Sequence, residues 1–181
     1  MKGRICFFIL ASLLFSCCAN GPTQQTELGP NTGVNDLRIS STAFGNNKKI
    51  PDVYTCNDQG ISPPLTFENV PENAKSLALI LDDPDAPSGT FTHWLIWNIP
   101  ANLTGIDENS VPDGGVQGKN SDGETGYTPP CPPYGTHRYY FKLYALDTML
   151  KLPPGSDKKA LSEAMKGHII AQTEYVGLYS K

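Results

Sequence analysis

The segment GTFTHWLIWNIP, residues 89–100, is the clearest indication of the fold in this chain. Its run of apolar and aromatic residues predicts a β-strand over residues 93–99. His93 is the only titratable residue in the segment and one of three histidines in the chain. It is either a hydrogen-bonded core residue or part of a functional site, and a site requires partners from other segments.

Three further segments extend this pattern outward. SLALIL (76–81) is continuously apolar, as expected of a strand that is buried on both faces. LRISSTAF (37–44) and HRYYFKLYAL (137–146) place their apolar residues with the alternation of a strand. The loops between these segments are rich in glycine and proline, which favours a strand-and-loop architecture over a helical one.

One segment has helical periodicity. SDKKALSEAMKGHIIAQ (156–172) predicts a helix that Ser156 caps, although Gly167 weakens it by about 1 kcal/mol. The fold class predicted is all-β-dominated, an antiparallel β-sandwich with a C-terminal helix.

The N-terminus has the features of an export signal. Residues 1–16 combine a short basic region with an apolar run that is too short to span a bilayer, which indicates a signal peptide. The ending LFSC resembles a bacterial lipobox, so Cys17 is the expected lipidation site and Cys18 a second candidate. Residues 17–36 then form a flexible tether, and residues 37–181 form the folded domain. The predicted location is the bacterial cell envelope, anchored to a membrane by lipid; the alternative is a periplasmic or secreted protein.

The charge distribution argues against nucleic-acid partners. The net charge is −4, and it becomes −6 when residues 1–16 are removed, because they hold Lys2 and Arg4. No clustered basic face is evident, so neither nucleic-acid binding nor electrostatic attraction to an anionic membrane is expected. Only the lipid anchor would hold the protein at a membrane.

Two cysteines remain beyond the anchor region. Cys56 and Cys131 belong to one domain of an exported chain, and oxidising conditions favour a disulfide between them. Closing a loop of about 75 residues would contribute roughly 4.5 kcal/mol of stability. Two free buried thiols are the alternative.

The predicted strands also place titratable residues at one end of the sheet. Side chains alternate along a strand, so Asp83 closes the apolar row formed by Leu77, Leu79 and Leu81. By the same alternation, His93 opens a row with Leu95, Trp97 and Ile99. If the two strands are antiparallel neighbours, Asp83 and His93 lie at the same end of the sheet.

The segment HRYYFKLYAL adds a third contribution. His137 opens this strand, and Tyr139 follows on the same face. The proline-rich segments DPDAPSG and GYTPPCPPYGT precede strands and are suited to forming a rigid pocket rim. Two histidines, an aspartate and a tyrosine at the ends of apolar rows make a pocket plausible.

These segments resemble a known family. The elements YTC (54–56), ISPPLTF (61–67), DDPDAPSGTFTHWLIWNIP (82–100), GYTPPCPPYGTHRYYFKLYALD (126–147) and MKGHIIAQTEYVGLY (165–179) are similar to the bacterial, Raf-kinase-inhibitor-like branch of the phosphatidylethanolamine-binding protein (PEBP) family. The similarity extends over nearly all of residues 37–180. The resemblance implies a sandwich of antiparallel sheets with a small anion pocket at one end.

The resemblance also implies which residues form the pocket. Carried onto this sequence, they are Asp83, Asp85, His93, Pro133, His137 and Tyr139. The segment 126–130 lacks a glycine that is common in the family, so a differently shaped rim is expected there.

The predicted function is binding of a phosphate-type anion or phospholipid headgroup, without catalysis, cofactor or metal. Imidazole and phenol groups can donate to phosphate oxygens, while Asp83 can orient a histidine. We expect binding to be tighter near about pH 5–6 than near about pH 8, because a phosphomonoester retains a proton below its second pKa of about 6.

Other functions remain as alternatives. An envelope protein-interaction module of the kinase- or protease-inhibitor type would need a protein partner. A hydrolase is less favoured, because no nucleophile elbow is present. A metal site has suitable ligand types in its histidines and carboxylates but lacks a short ligand spacing. His168 is interpreted as a packing or surface residue.

Overall fold

A computed structural model of the chain describes residues 36–181. The predicted signal peptide, the Cys17 lipidation site and all but the last residue of the predicted tether lie outside this range. In chain order the elements are β1 (Arg38–Ser40), β2 (Lys48–Lys49), a 3₁₀ turn (Asp52–Tyr54), β3 (Leu65–Glu68), β4 (Ser76–Asp83), β5 (Phe91–Pro100), β6 (Gly105–Ile106), β7 (Val116–Gln117), β8 (Thr136–Leu146), α1 (Lys158–Met165) and β9 (Ile169–Ser180). Within residues 36–181, no helix is long and apolar enough to cross a membrane.

The strands form two sheets. The large sheet has six strands in the order β2-β9-β8-β4-β5-β7, and the small sheet has three in the order β1-β3-β6. Neighbours are antiparallel except β2 and β9, which run parallel. The predicted antiparallel β-sandwich is confirmed.

The apolar core occupies two layers, one on each face of the large sheet. The layer between the sheets joins Ile39 and Phe67 of the small sheet to Leu79 and Phe141 of the large one. On the opposite face, helix α1 packs Leu161 against the sheet. Both faces of β4 are therefore covered, and all eight of its residues are buried, as its continuously apolar sequence predicts.

The helix is shorter than the sequence indicates. It covers Lys158–Met165 rather than 156–172, and the carboxylate of Asp157, not Ser156, caps it by accepting from the amide of Ala160. Gly167 adopts a left-handed conformation at φ 77°, which ends the helix instead of merely weakening it.

The chain after this glycine forms a strand that the sequence interpretation missed. Strand β9 pairs with β8 along almost its whole length, from Ile169 opposite Leu146 to Ser180 opposite Thr136. The first strand is also shorter than the predicted 37–44, since β1 ends at Ser40 and the chain turns there. The helix is thus followed by a long strand that lies between β2 and β8 in the large sheet.

Candidate functional site

A β-bulge in β5 determines where His93 points. Leu81 of β4 pairs with Trp94, but the next residue, Asp82, pairs with Thr92, so His93 has no partner across the ladder. A bulge of this kind redirects a side chain, and it commonly does so beside functional sites. The ring of His93 consequently packs against Tyr139, with ring centroids 5.2 Å apart, on the face between the sheets.

The predicted alternation after His93 is therefore wrong. Leu95 and Trp97 belong to the layer beneath helix α1, on the opposite face of the sheet. Ile99 returns to the layer between the sheets because a second bulge intervenes at Asn98, which has φ 56°. Asn98 is held in this conformation by two hydrogen bonds between its side chain and the backbone of Leu150.

His137 and Asp83 form a buried pair at the end of the sheet. Nδ1 of His137 lies 2.7 Å from Oδ2 of Asp83, and both side chains are 5% exposed. The other carboxylate oxygen accepts the backbone N–H of Asp85 at 2.8 Å. Each oxygen of Asp83 has a partner, while Nε2 of His137 has no hydrogen bond within residues 36–181.

His93 is held in a similar way by a different partner. Its Nδ1 lies 2.8 Å from the carbonyl oxygen of Thr128, and the amide of Thr128 donates in return to the carbonyl of His93 at 2.9 Å. Burial lowers the pKa of His93, and this effect exceeds the opposing influence of the Thr128 hydrogen bond and of nearby carboxylates. The ring is therefore neutral at neutral pH.

Tyr139 lies between the two imidazoles and has an unsatisfied hydroxyl. Its side chain is 0% exposed, and the phenol oxygen has no hydrogen-bond partner within residues 36–181. Burial, reinforced by the negative charge of Asp83, raises the pKa of Tyr139, so the hydroxyl keeps its proton. A buried donor without a partner is costly unless a ligand or water satisfies it.

These groups line a cavity of about 270 Å³. It brings together five of the six residues predicted for the pocket: Asp83, His93, Pro133, His137 and Tyr139. A larger groove of about 820 Å³ runs along β3 and β6, but its titratable side chains are only the exposed Asp107 and Asp113. The smaller cavity is the candidate site because buried, oriented polar groups converge there.

Asp85 is the predicted site residue that the structure does not bring to the cavity wall. Its carboxylate is occupied by Arg138, which donates from Nε at 2.8 Å, from its second terminal nitrogen at 2.6 Å and from its backbone amide at 3.0 Å. These hydrogen bonds lower the pKa of Asp85 to about 2. Asp85 instead supports the site through its backbone N–H, which holds Asp83.

The cavity also contains residues that the sequence interpretation missed. Phe91 packs on His93 with ring centroids 4.7 Å apart, and Asp122 and Thr128 complete the wall from the loop after β7. Asn120 organises that loop, because its side chain accepts the amides of Asp122 and Glu124 and donates to the Thr128 hydroxyl at 2.7 Å. The turn-forming composition of residues 120–123, NSDG, was the available signal.

A disulfide fastens the rim. Cys56 and Cys131 are joined, with Cα atoms 5.4 Å apart, and Cys131 itself lines the cavity. The amide of Cys56 also donates to the carbonyl of Pro130 at 3.1 Å. The disulfide links the proline-rich segment around Cys131 to the loop at Cys56, which lies 75 residues earlier in the chain. This link restricts the movement of the cavity wall. Within residues 36–181, no three His, Cys, Asp or Glu side chains are placed to share a metal ion.

Comparison with known proteins identifies the family. The family model described as phosphatidylethanolamine-binding protein matches residues 40–180. The chain belongs to the PEBP family. The resemblance predicted from the sequence is thereby confirmed.

Relatives of known sequence and structure agree with this membership. A UPF0098 protein of Methanothermobacter thermautotrophicus is 51% identical over 150 residues, covering 80% of this chain and 99% of the relative. A PEBP homolog from Chlamydia trachomatis has a crystal structure that matches with a TM-score of 0.79 at 46% identity, covering 81% of this chain and 99% of that one. Escherichia coli YbcL, described as a member of the mammalian PEBP family, matches with a TM-score of 0.75 at 30% identity, covering 80% and 98%.

Proposed function

We propose that this PEBP-family protein binds a phosphate-type anion, free or as a phospholipid headgroup, in the His93–His137–Tyr139 cavity. The observation that carries the proposal is the hydroxyl of Tyr139, a buried donor between two oriented imidazoles that finds no partner among residues 36–181. Such a group is stable when a ligand oxygen accepts its hydrogen bond.

The two histidines are prepared for a ligand in the same way. Each is anchored through Nδ1, His93 to a carbonyl and His137 to a carboxylate, which leaves both Nε2 atoms for the cavity. When His137 carries its second proton, its Nε2 donates a charge-assisted hydrogen bond to the anion.

Asp83 makes a negatively charged ligand acceptable in this proposal. A bare carboxylate would repel an anion by about 1 kcal/mol at 4 Å even in water. Because one oxygen of Asp83 is hydrogen-bonded to Nδ1 of His137, the carboxylate faces the histidine and presents Nε2 of that ring to the ligand. Its second oxygen is already occupied by the amide of Asp85, so it does not compete for the site.

The test is a titration of the full-length chain by isothermal calorimetry. The ligands are phosphate, phosphoethanolamine and a short-chain phosphatidylethanolamine, and the variants are His93→Ala and His137→Ala. We expect each variant to lose about 10-fold or more in affinity, since a hydrogen bond to a charged group contributes about 1.5–3 kcal/mol.

The third histidine supplies a matched control. His168 also pairs with an aspartate, Asp147, at 2.8 Å, but both side chains are nearly half exposed and neither lines the cavity. His168→Ala should leave affinity unchanged. Absence of binding by the parent chain, with circular dichroism showing a folded protein, would contradict the proposal.

In this proposal the protein binds its ligand without transforming it. Phosphoethanolamine recovered unchanged after prolonged incubation at binding concentrations is the expected result, and release of inorganic phosphate would contradict it. Lipidation at Cys17 and an envelope location also remain proposals, and mass spectrometry of the exported protein would test both together.

A further inference from the structure

The hydrogen bond at Nδ1 of His93 determines whether the other ring nitrogen, Nε2, donates or accepts a hydrogen bond. The partner of Nδ1 is the carbonyl oxygen of Thr128, which can only accept. The proton must therefore reside on Nδ1, and in the neutral ring Nε2 carries a lone pair. Toward the cavity, His93 is an acceptor.

The charged groups around His93 do not change this assignment. Asp83 from β4 and Asp122 from the loop after β7 line the same cavity, with His137 and Tyr139 facing from β8. Asp82 acts from the other side of β4, and all three carboxylates favour protonation of the ring. Burial at 5% exposure outweighs them and lowers the pKa of His93, so the ring meets a ligand as a neutral base.

A suitable ligand must therefore both accept and donate a hydrogen bond in the cavity. It must accept from the hydroxyl of Tyr139 and also donate to Nε2 of His93. Phosphate diesters and sulfate esters are all-acceptor groups near neutral pH. A phosphomonoester monoanion has one P–OH donor beside its acceptor oxygens, and its proton is lost with a pKa of about 6.

We propose that the cavity selects proton-bearing phosphate groups, namely hydrogen phosphate and phosphomonoester monoanions, over phosphodiesters and sulfate esters, and that His93 is the residue that determines this specificity. The inference rests on the proposed function and narrows its ligand class. The proton that a phosphomonoester retains below its second pKa is donated to Nε2 of His93. Among phospholipids, the same rule favours phosphatidate, a monoester, over phosphatidylethanolamine, a diester.

The decisive comparison uses ligands of equal size and charge. Methyl phosphate monoanion and methyl sulfate have the same shape and the same charge, but only the former carries a proton. The full-length chain is titrated near pH 6 with both and with dimethyl phosphate, and the affinity for methyl phosphate is calculated from the concentration of its monoanion, which is about half of the total at this pH. We expect methyl phosphate to bind at least about 10-fold more tightly than either, because a buried acceptor left unpaired is costly.

The outcomes separate the two proposals. Binding of methyl phosphate alone supports the selectivity. Equal binding of methyl phosphate and methyl sulfate overturns it while leaving the anion-binding function intact. Binding of none of the three overturns both.

Two variants locate the source of the selectivity. His93→Gln replaces the acceptor with an amide that can turn its N–H toward the ligand, so the preference for methyl phosphate should shrink to about 2-fold or less. Tyr139→Phe removes a donor that both ligands use, so it should weaken both by a similar factor and leave their ratio unchanged. A ratio that is insensitive to His93→Gln in a folded variant would overturn the role of His93.

A pH series and a lipid comparison complete the test. Between about pH 6 and pH 8 the monoanion fraction of a monoester falls from about one half to about one hundredth, so its affinity should fall by about 50-fold. A flat profile would overturn the proposal. Short-chain phosphatidate binding more tightly than methyl phosphate would assign a lipid source and equal binding a soluble one, and either outcome upholds the selectivity.

Discussion

Asp82 and Asp83 are adjacent at the end of β4, yet they serve opposite faces of the large sheet. Asp82 is 1% exposed and accepts hydrogen bonds from Lys142 at 2.9 Å, from Lys158 at 2.8 Å and from Thr92 at 2.9 Å. Asp83 is 3% exposed and is held by His137 and by the amide of Asp85. Both carboxylates are satisfied, but of the two only Asp83 lines the candidate cavity.

The two aspartates differ in whether the residue that pairs with them also keeps a hydrogen-bonding atom for the cavity. The two ammonium groups at Asp82 neutralise a buried charge and connect β4 to β8 and to helix α1, and the charged ends of both lysines reach water. His137 satisfies Asp83 with one nitrogen and keeps the other for the cavity. A buried carboxylate therefore indicates a binding site only when its partner retains an unused hydrogen-bonding atom.

Removing the charge of Asp82 should have the largest effect on stability. Asp82→Asn leaves two lysines without a counter-ion, and we expect the free energy of unfolding to fall by about 2 kcal/mol in urea denaturation. This lies below the roughly 3–5 kcal/mol typical of a fully buried pair, because both lysines can be rehydrated. A loss below about 0.5 kcal/mol would show that the cluster is not structural.

The same cluster predicts an acid-sensitive contribution. Burial alone would raise the pKa of Asp82, but Lys158 and Lys142 outweigh it and hold the pKa below its usual 3.8. The contribution is therefore fully present above about pH 4 and is lost as the pH falls through the lower pKa of the folded state. In Asp82→Asn this part of the acid transition should be absent.

The matching change on the other face should affect binding rather than folding. In Asp83→Asn the amide can still accept from Asp85 and hydrogen-bond to His137, so the free energy of unfolding should change by less than about 1 kcal/mol. Affinity for methyl phosphate should fall by about 10-fold, since the amide N–H then faces Nδ1 of His137 and keeps the ring from carrying a second proton, so that its hydrogen bond to the anion is no longer charge-assisted. The reverse pattern, large destabilisation with unchanged affinity, would remove the distinction between the two aspartates.

The smallest expected effect separates two neighbouring lysines of the helix. Lys158→Ala removes one of the two cations at Asp82 and should cost about 1 kcal/mol of stability, because the Lys158 side chain is itself 36% exposed and water partly screens its charge. Lys159 is exposed and makes no ion pair within residues 36–181, so Lys159→Ala should change stability by less than about 0.5 kcal/mol. Thermal unfolding of both variants in low salt measures the difference.

Much of this arrangement was predictable from the sequence. The strands β4, β5 and β8 were identified because their apolar runs are long and bounded by turn residues. Asp83, His137 and Tyr139 were assigned to one site by alternation, and the structure places all three at the cavity. Strand β9 was missed because helical spacing continues past Gly167, and only the chain reversal there shows that pairing with β8 prevails.

Two residues show why the rest of the site needed the structure. Asp85 was predicted for the pocket together with Asp83, but Arg138 draws its carboxylate away from the cavity. Thr128 carries no recognisable binding motif, yet its carbonyl assigns the tautomer of His93 from 35 residues away. Neither contact follows from local sequence, because each depends on which loop packs against the end of the sheet.

The sequence by itself determined the two faces of each regular strand, because the backbone of a strand turns successive side chains to opposite sides whatever its neighbours are. It thereby determined that Asp83, His137 and Tyr139 end apolar rows. His93 was predicted at the same end of the sheet, but only the tertiary structure shows that a bulge turns its side chain into the cavity. A bulge is defined by how many residues face one residue of the partner strand, and that count depends on the register between β4 and β5.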